Sequence, residues 1–302
     1  MKIGFGAPVS GSWATPGSMA MIGRRAEELG YHSLWTFQRL LYPTGGTERP
    51  LGPTYRSVQD PIVTLAYLAG LTSRIRLSVA VVNLPYFSPI LLAKQLATLQ
   101  MVAGGRLDAG LGLGWEWQEF VASGVPIEHR GRRAEEYIGL LRRLWTDDVI
   151  EHEGEFYQVP RAHQDPKPSP PPSILLGGTA PAALRRAGRL ADGWVSSSRA
   201  DLNTISEQIY IVKEAARQAG RDPESVRIVI RGVTKPGKAG VLGRAPLSGS
   251  YEEIRRDVAD LAEQGVTEVF HDLNFNPEIA SPDAAPAEAI RRAEEALEAL
   301  AP

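Results

Sequence analysis

The sequence predicts an α/β fold of the (β/α)8 TIM-barrel class, a single domain over residues 1–302 with insertions around 38–58, 115–130, 147–172 and 232–248. Three observations predict it. Strand-like and helix-like patterns alternate eight times, as parallel strands joined by right-handed crossovers require. The length of 302 residues suits a barrel of about 250 residues that carries insertions. Two strands run out into glycine, at Gly110-Leu111-Gly112-Leu113-Gly114 and at Gly177-Gly178, as if to let a ligand approach bare backbone. A doubly wound open sheet is the alternative, but eight units favour closure.

The elements follow in order. Lys2–Ala7 reads as the first strand, and Thr15-Pro16 opens a helix that ends at Leu29-Gly30, with Thr as N-cap and Pro at the first helical position. Ser33–Phe37 is the second strand, followed by a long polar loop from Gln38 to Val58. Asp60-Pro61 starts the next helix, which runs to about Leu71, and Arg74–Val82 is the third strand. Ser88-Pro89 begins a helix to Val102, and Arg106–Gly112 is the fourth strand. Gly131–Trp145 carries Tyr137, Leu140, Leu141, Leu144 and Trp145 at helical spacing. Ile150–Val159 reads as a hairpin around Glu153-Gly154, and the proline run from Pro166 to Pro172 as a stiff connector. Ser173–Leu176, Gly193–Ser196, Ser225–Arg231 and Thr267–His271 are strands five to eight. The helices Pro181–Leu190, Leu202–Ala219, Tyr251–Gln264 and Ala285–Leu300 alternate with them, and a glycine-rich insertion spans Gly232–Ser248.

Composition narrows the function. A net charge of −2 gives no support for nucleic-acid binding or for a basic membrane patch. With no cysteine, thiol nucleophiles, disulfides and Cys-ligated metal centres are excluded. The five histidines show no metal-ligand spacing, so no metal is expected. There is no nucleophile elbow and no Walker loop. No apolar run approaches the ~20 residues of a membrane span, and the N-terminus lacks an apolar leader core, so the expectation is a cytoplasmic protein acting on a small molecule.

In such barrels chemistry sits at the C-terminal ends of the strands. That rule selects the segments after Ala7, Phe37, Val82, Gly112, Leu176, Ser196, Arg231 and His271. Gly110-x-Gly112-x-Gly114 is not a dinucleotide fingerprint, because Trp115 stands where the third glycine would be. Alone it is equally a tight turn. Gly177-Gly178 precedes a helix whose N-terminus suits an anion, and Ser196-Ser197-Ser198 follows the neighbouring strand. His271, beside Asp272, is a candidate acid or base, although a buried structural histidine fits the same position. Trp13, Tyr42, Asn83 and Trp115 are candidates for substrate contact, and the 38–58 loop adds Arg49, Tyr55 and Arg56.

These residues resemble the luciferase-like monooxygenase superfamily, and most closely its branch that uses the deazaflavin coenzyme F420. The resemblance covers nearly the whole chain. Pro89-x5-Gln95-x3-Leu99, Gly104-Gly105-Arg106-Leu107 and Gly110-x-Gly112-x-Gly114-Trp115 carry it. So do Arg132-Arg133-x-Glu135-x6-Arg142-x2-Trp145, Gly154-x-Phe156-Tyr157, Leu176-Gly177-Gly178 and Ala187-Gly188-Arg189-x-Ala191-Asp192-Gly193-Trp194.

The resemblance implies the barrel with insertions and F420 or FMN bound at the strand C-termini. It implies that Gly112, Leu113 and Gly114 line the ring or ribityl chain, and that Gly177, Gly178, Ser196, Ser197 and Ser198 hold the phosphate. It also implies a non-prolyl cis peptide near Val79-Ala80-Val81, against the ring, and often a homodimer. One departure stands out: where many relatives carry an acidic residue and a histidine, this chain has Gln38-Arg39. A guanidinium is not a base, but it can hold negative charge developing on a substrate. The expectation is therefore a reductase that transfers hydride from reduced F420, with Arg39, Gln38 and His271 as catalytic candidates. The alternatives are an FMN-dependent monooxygenase fed by a separate flavin reductase, and a non-catalytic cofactor-binding barrel.

Overall fold

The computed structural model describes residues 1–46 and 50–302. Strands rich in Val, Leu, Ile and Phe on both faces must be covered on both faces, and closure achieves that. Eight parallel strands do so here: β1 Lys2–Gly6, β2 Ser33–Thr36, β3 Arg76–Val79, β4 Leu107–Gly112, β5 Ser173–Gly177, β6 Gly193–Val195, β7 Arg227–Val233 and β8 Glu268–Asp272. They pair in the order β3-β2-β1-β8-β7-β6-β5-β4, and Leu77 opposite Leu107 and Ser78 opposite Asp108 close the ring. Outside lie α1 Pro16–Glu28, α2 Pro61–Ala69, α3 Pro89–Val102, α4 Arg130–Thr146, α5 Pro181–Leu190, α6 Ile205–Gln218, α7 Tyr251–Glu263 and α8 Pro286–Ala299. Helix starts follow local chemistry. Thr15 and Ser18 form a reciprocal capping box ahead of Pro16, and Ser250 with Glu253 repeats it on α7.

Side chains alternate across each strand. Outward ones, among them Leu34, Leu77, Val79, Leu111, Leu176, Ile230 and Val269, join the helices in one large apolar layer. Inward ones fill the barrel: Trp35 stacks on Phe270 at 4.5 Å between ring centroids, above Leu175, Val195 and Val229.

The N-terminal end of the barrel is closed by charge. Asp108, fully buried, accepts from Arg76 at 2.6 and 3.0 Å, from Arg227 at 2.8 and 3.1 Å, and from the Ser78 hydroxyl at 3.2 Å. Arg227 also donates to Glu268 at 2.9 Å, and Glu268 accepts from Ser33 and Trp35. Burial pushes the Asp108 carboxyl up, but the donors and charges of Arg76 and Arg227 outweigh it and hold the group below the usual carboxylate range. At the same end, Arg106 of the Gly104-Gly105-Arg106 motif donates to the carbonyls of Ala103, Ile75 and Thr72. That part of the motif therefore secures the entry to β4 and lies opposite the site.

The structure corrects several boundaries. The third strand stops at Val79 rather than Val82; the Ala80–Val81 peptide is cis, and Val82–Asn83 then pairs with Leu111 and Gly112. Bare backbone on β4 allows this crossing, because a Cβ on Gly110 would lie 1.7 Å from the Val79 carbonyl. The seventh strand starts two residues late, since Asp222 caps a turn over Pro223–Ser225, and it runs through Gly232 to Val233. The hairpin's second strand is Gln158–Ala162, beyond the expected end at Val159. The 115–130 insertion contains a helix, Trp117–Ala122, whose six residues are too few to show a period.

His271 lies on the outward face of β8, fully enclosed, with Nδ1 3.0 Å from the Thr234 hydroxyl, which itself donates to the Gly232 carbonyl. Burial pushes its pKa down to about 4. The unfolded chain, with an ordinary value near 6.5, therefore binds that proton first. The resulting stability is present above pH 6.5 and lost as pH falls toward 4, a loss of about 3 kcal/mol. Denaturant unfolding at pH 7, 5.5 and 4 should follow that slope, and His271→Gln should flatten it. An unfolding free energy that is constant over this interval would contradict the assignment.

Candidate functional site

At the C-terminal end of the barrel the strand exits enclose a cavity of about 480 Å³, the size of a cofactor or drug-like ligand site. Its floor is Ala80, Val81, Gly112, Leu113, Gly114, Gly177 and Val195. Two glycines make that floor flat. A Cβ on Gly112 would lie 2.3 Å from Val81 Cγ2 and 2.9 Å from Asn83 Oδ1, and one on Gly177 would press on Val81 Cγ1 at 3.0 Å. Asn83 fixes the exit, its side-chain oxygen accepting from the Gly114 N–H at 3.0 Å, where Gly114 turns with φ +72°.

One end is cationic. Gly178 (φ +134°), Thr179 and Ala180 lead into α5, whose N-terminus has no side-chain cap. Arg130 and Gly131 of α4, Arg186 of α5 and Ser196, Ser197 and Ser198 after β6 complete this end. Ser196 is held because its hydroxyl accepts from the Arg231 N–H at 3.0 Å. Open helical N–H groups, hydroxyls and two guanidiniums suit a phosphate.

The other end is aromatic. Phe37, Tyr55 and Trp115 line it with Gln38, Arg39, Arg199 and Arg231. Arg39 lies between the rings of Tyr55 and Trp115, 4.9 and 4.7 Å from their centroids. Behind it stands Glu119, 1% exposed, from the short helix that the sequence did not reveal. Glu119 lies 3.1 Å from Arg39 and accepts from the N–H groups of Leu40 and Leu41 at 2.7 and 3.1 Å, tying the loop after β2 to the segment after β4. Burial first, and then the Glu119 charge, push the nearby Tyr86 phenol well above its ordinary range. Arg231 donates to Asp272 at 2.7 Å and to the Ala80 carbonyl at 3.0 Å, and packs on Phe37 and Phe275. Gln38 accepts from the Asn83 N–H at 2.9 Å, which orients the amide; its Nε2 is buried without a partner.

The structure thus brings together Gln38, Arg39, Ala80, Val81, Asn83, Gly112, Leu113, Gly114, Trp115, Gly177, Gly178, Ser196, Ser197 and Ser198 around one cavity. Four candidates do not line it. Val79 points outward by strand parity, into the helix layer. His271 does the same on β8. Trp13 is fully buried in the core, and Tyr42 sits at the surface with its hydroxyl donating to the Leu51 carbonyl at 3.3 Å. Arg56 is exposed, and Arg49 lies outside the described residues. Among the cavity residues that the sequence did not single out, Arg130 and Arg186 come from helices and carry no strand-end signal.

This arrangement of glycine floor, anion end and aromatic end agrees with the sequence comparison. The profile of the luciferase-like monooxygenase family matches residues 4–239. The chain belongs to that family. An uncharacterized protein of Mycobacterium tuberculosis is 34% identical over 217 residues, covering 69% of this chain and 75% of its own length. The FMNH2-dependent dimethylsulfone monooxygenase of Pseudomonas putida is 35% identical over 168 residues, 54% of this chain and 46% of that one. The F420-dependent glucose-6-phosphate dehydrogenase of Amycolatopsis mediterranei is 26% identical over 232 residues, 75% of this chain and 66% of its own. Members of this family are F420- or FMN-dependent oxidoreductases.

Proposed function

We propose that this protein is an F420-dependent reductase, delivering hydride from the reduced deazaflavin to a small organic substrate. One observation carries the direction: among the described residues, no carboxylate, histidine or lysine lines the cavity. Alcohol oxidation needs a base to take the hydroxyl proton. Hydride addition to a carbonyl or enone can proceed with donors alone that stabilise the charge developing on oxygen, the proton arriving afterwards, and Gln38 and Arg39 are such donors.

The residues present fit a flat ring bearing a phosphate tail. The bare floor at Gly112 and Gly177 would take the ring, and Gly178, Arg130, Arg186 and Ser196–Ser198 would hold the phosphate. When bound, F420 supplies the two-electron hydride chemistry. The chain's own work is to hold substrate and ring in reacting distance, exclude water with Trp115 and Tyr55, and place the Gln38 and Arg39 donors at the substrate oxygen. The product takes one hydride and one proton, and the proton comes from solvent after the hydride step. The F420-dependent relative, which aligns over three-quarters of this chain, supports this choice of cofactor. FMN is the second reading, favoured by the higher identity of the dimethylsulfone monooxygenase over a shorter span; it would require a separate flavin reductase. Under anaerobic conditions, reduced F420 should be consumed with carbonyl or enone substrates. Efficient F420 reduction by alcohols would overturn the assigned direction.

A homodimer belongs to the same proposal. The outer faces of α2 and α3 expose Val63, Tyr67, Ile90, Leu91, Met101 and Val102, and the two helices carry one charged residue between them, Lys94. Two such faces related by a two-fold axis would cover each other's apolar surface, with the Lys94 ammonium held on the Asp165 carbonyl. A monomer mass by light scattering at micromolar concentration would contradict this. No helix among the described residues is long and apolar enough to cross a membrane.

A further inference from the structure

The substrate class is written in how the aromatic end of the cavity treats charge; this inference rests on the reductase reading and sharpens it. Two buried cations face that end, and each is cancelled by a buried carboxylate standing behind it. Arg39 is paired with Glu119 at 3.1 Å, and Arg231 with Asp272 at 2.7 Å. Neither carboxylate lines the cavity. The flat faces of both guanidiniums are covered, Arg39 by Tyr55 and Trp115, Arg231 by Phe37 and Phe275. Arg231 also spends Nη1 on the Ala80 carbonyl. The fork of Arg231 is therefore engaged, whereas Nε and Nη1 of Arg39 have no hydrogen-bond partner among the described residues and it is the adjacent Glu119 charge that already balances the cation. Arg199, exposed at the rim and donating to the Pro50 carbonyl at 3.4 Å, is screened by water. An anionic ligand would lose its hydration here without meeting a net positive charge.

Among the described residues that line this end, Gln38 supplies an uncharged donor with no partner. Gln38 is 6% exposed and lines the cavity, its oxygen is held by the Asn83 N–H, and its Nε2 is buried without a partner. An amide N–H matches a neutral carbonyl oxygen, and the rings of Phe37, Tyr55 and Trp115 match a flat apolar body.

We propose that the substrate is an uncharged, planar carbonyl compound, aromatic or conjugated, whose oxygen is received by Gln38 Nε2. The neutral ground state leaves the Arg39–Glu119 pair undisturbed, and Arg39 acts as negative charge grows on that oxygen during reduction.

The test is a matched pair of probes with the same flat ring and carbonyl but different charge, benzamide and benzoate. They are titrated by calorimetry into the full chain, first alone and then with whichever of F420 or FMN it binds. Benzamide should bind at least about tenfold tighter. Glu119→Gln, which leaves Arg39 uncancelled while still accepting from Leu40 and Leu41, should shift the ratio toward benzoate by about tenfold or more. Should that variant fail to fold, the ratio in the unaltered protein decides. Equal binding, tighter benzoate or no binding of benzamide overturns the proposal. Failure to bind F420 or to turn over would instead strike the reductase reading and leave the benzamide-to-benzoate ratio standing.

Discussion

Asp108→Ala is expected to remove about 3–5 kcal/mol of stability, the cost of breaking a buried ion pair from one side. The change leaves Arg76 and Arg227 facing each other across the barrel with one carboxylate, Glu268, where there were two. It also strips the Ser78 hydroxyl of its acceptor. Against a typical total of about 5–15 kcal/mol, the variant should be near the edge of folding at 37 °C. Asp108→Asn, which keeps the shape and one acceptor oxygen, should lose less but stay well below the parent. Because the network lies at the end of the barrel away from the cavity, any protein that remains folded should bind cofactor normally. A loss below about 1 kcal/mol by denaturant unfolding would show that the network is not the closure described.

The double variant Arg39→Met, Glu119→Gln should lower kcat by about 10²–10³-fold, as removal of one donor to a developing oxyanion does. The pair is changed together because removing Arg39 alone would leave Glu119 buried without its cation, confounding catalysis with stability. Met keeps an unbranched apolar side chain between Tyr55 and Trp115. Cofactor affinity should be unchanged, since the end proposed to hold the phosphate is built from Arg130, Arg186 and Ser196–Ser198. Wild-type kcat with a raised KM would mean that Arg39 only binds substrate, and would contradict its assigned role in the transition state.

Much of this was legible in the sequence because barrel strands are apolar on both faces and helix starts are marked by Thr-Pro, Asp-Pro and Ser-Pro. The glycine exits were legible for a similar reason: a site that needs bare backbone must use glycine. Depth was harder. Trp13 follows the first strand but folds back into the core, and an aromatic near a strand end looks alike in either role. His271 and Val79 failed on parity. On β8, Glu268 and Asp272 pair with inward-facing arginines and Phe270 stacks inside the barrel, so the odd-numbered neighbours face the helices. That alternation could have been read once Glu268 and Asp272 were seen as inward charges. Glu119 could not, because its helix is short and its partner, Arg39, lies 80 positions earlier in the chain. Arg130 and Arg186 reach the cavity only through the way α4 and α5 pack around the barrel.

The proposed function turns on this cavity binding F420 and using it for reduction. Parallel titration of cofactor-free protein with F420 and FMN, followed by anaerobic mixing of the reduced complex with a neutral enone or aromatic aldehyde, tests it most directly. Saturable F420 binding is expected, with FMN binding at least about tenfold weaker and oxidation of the reduced cofactor that depends on the substrate. Tight FMN binding without F420 binding, or oxidation of the reduced cofactor only when oxygen is admitted, would contradict it.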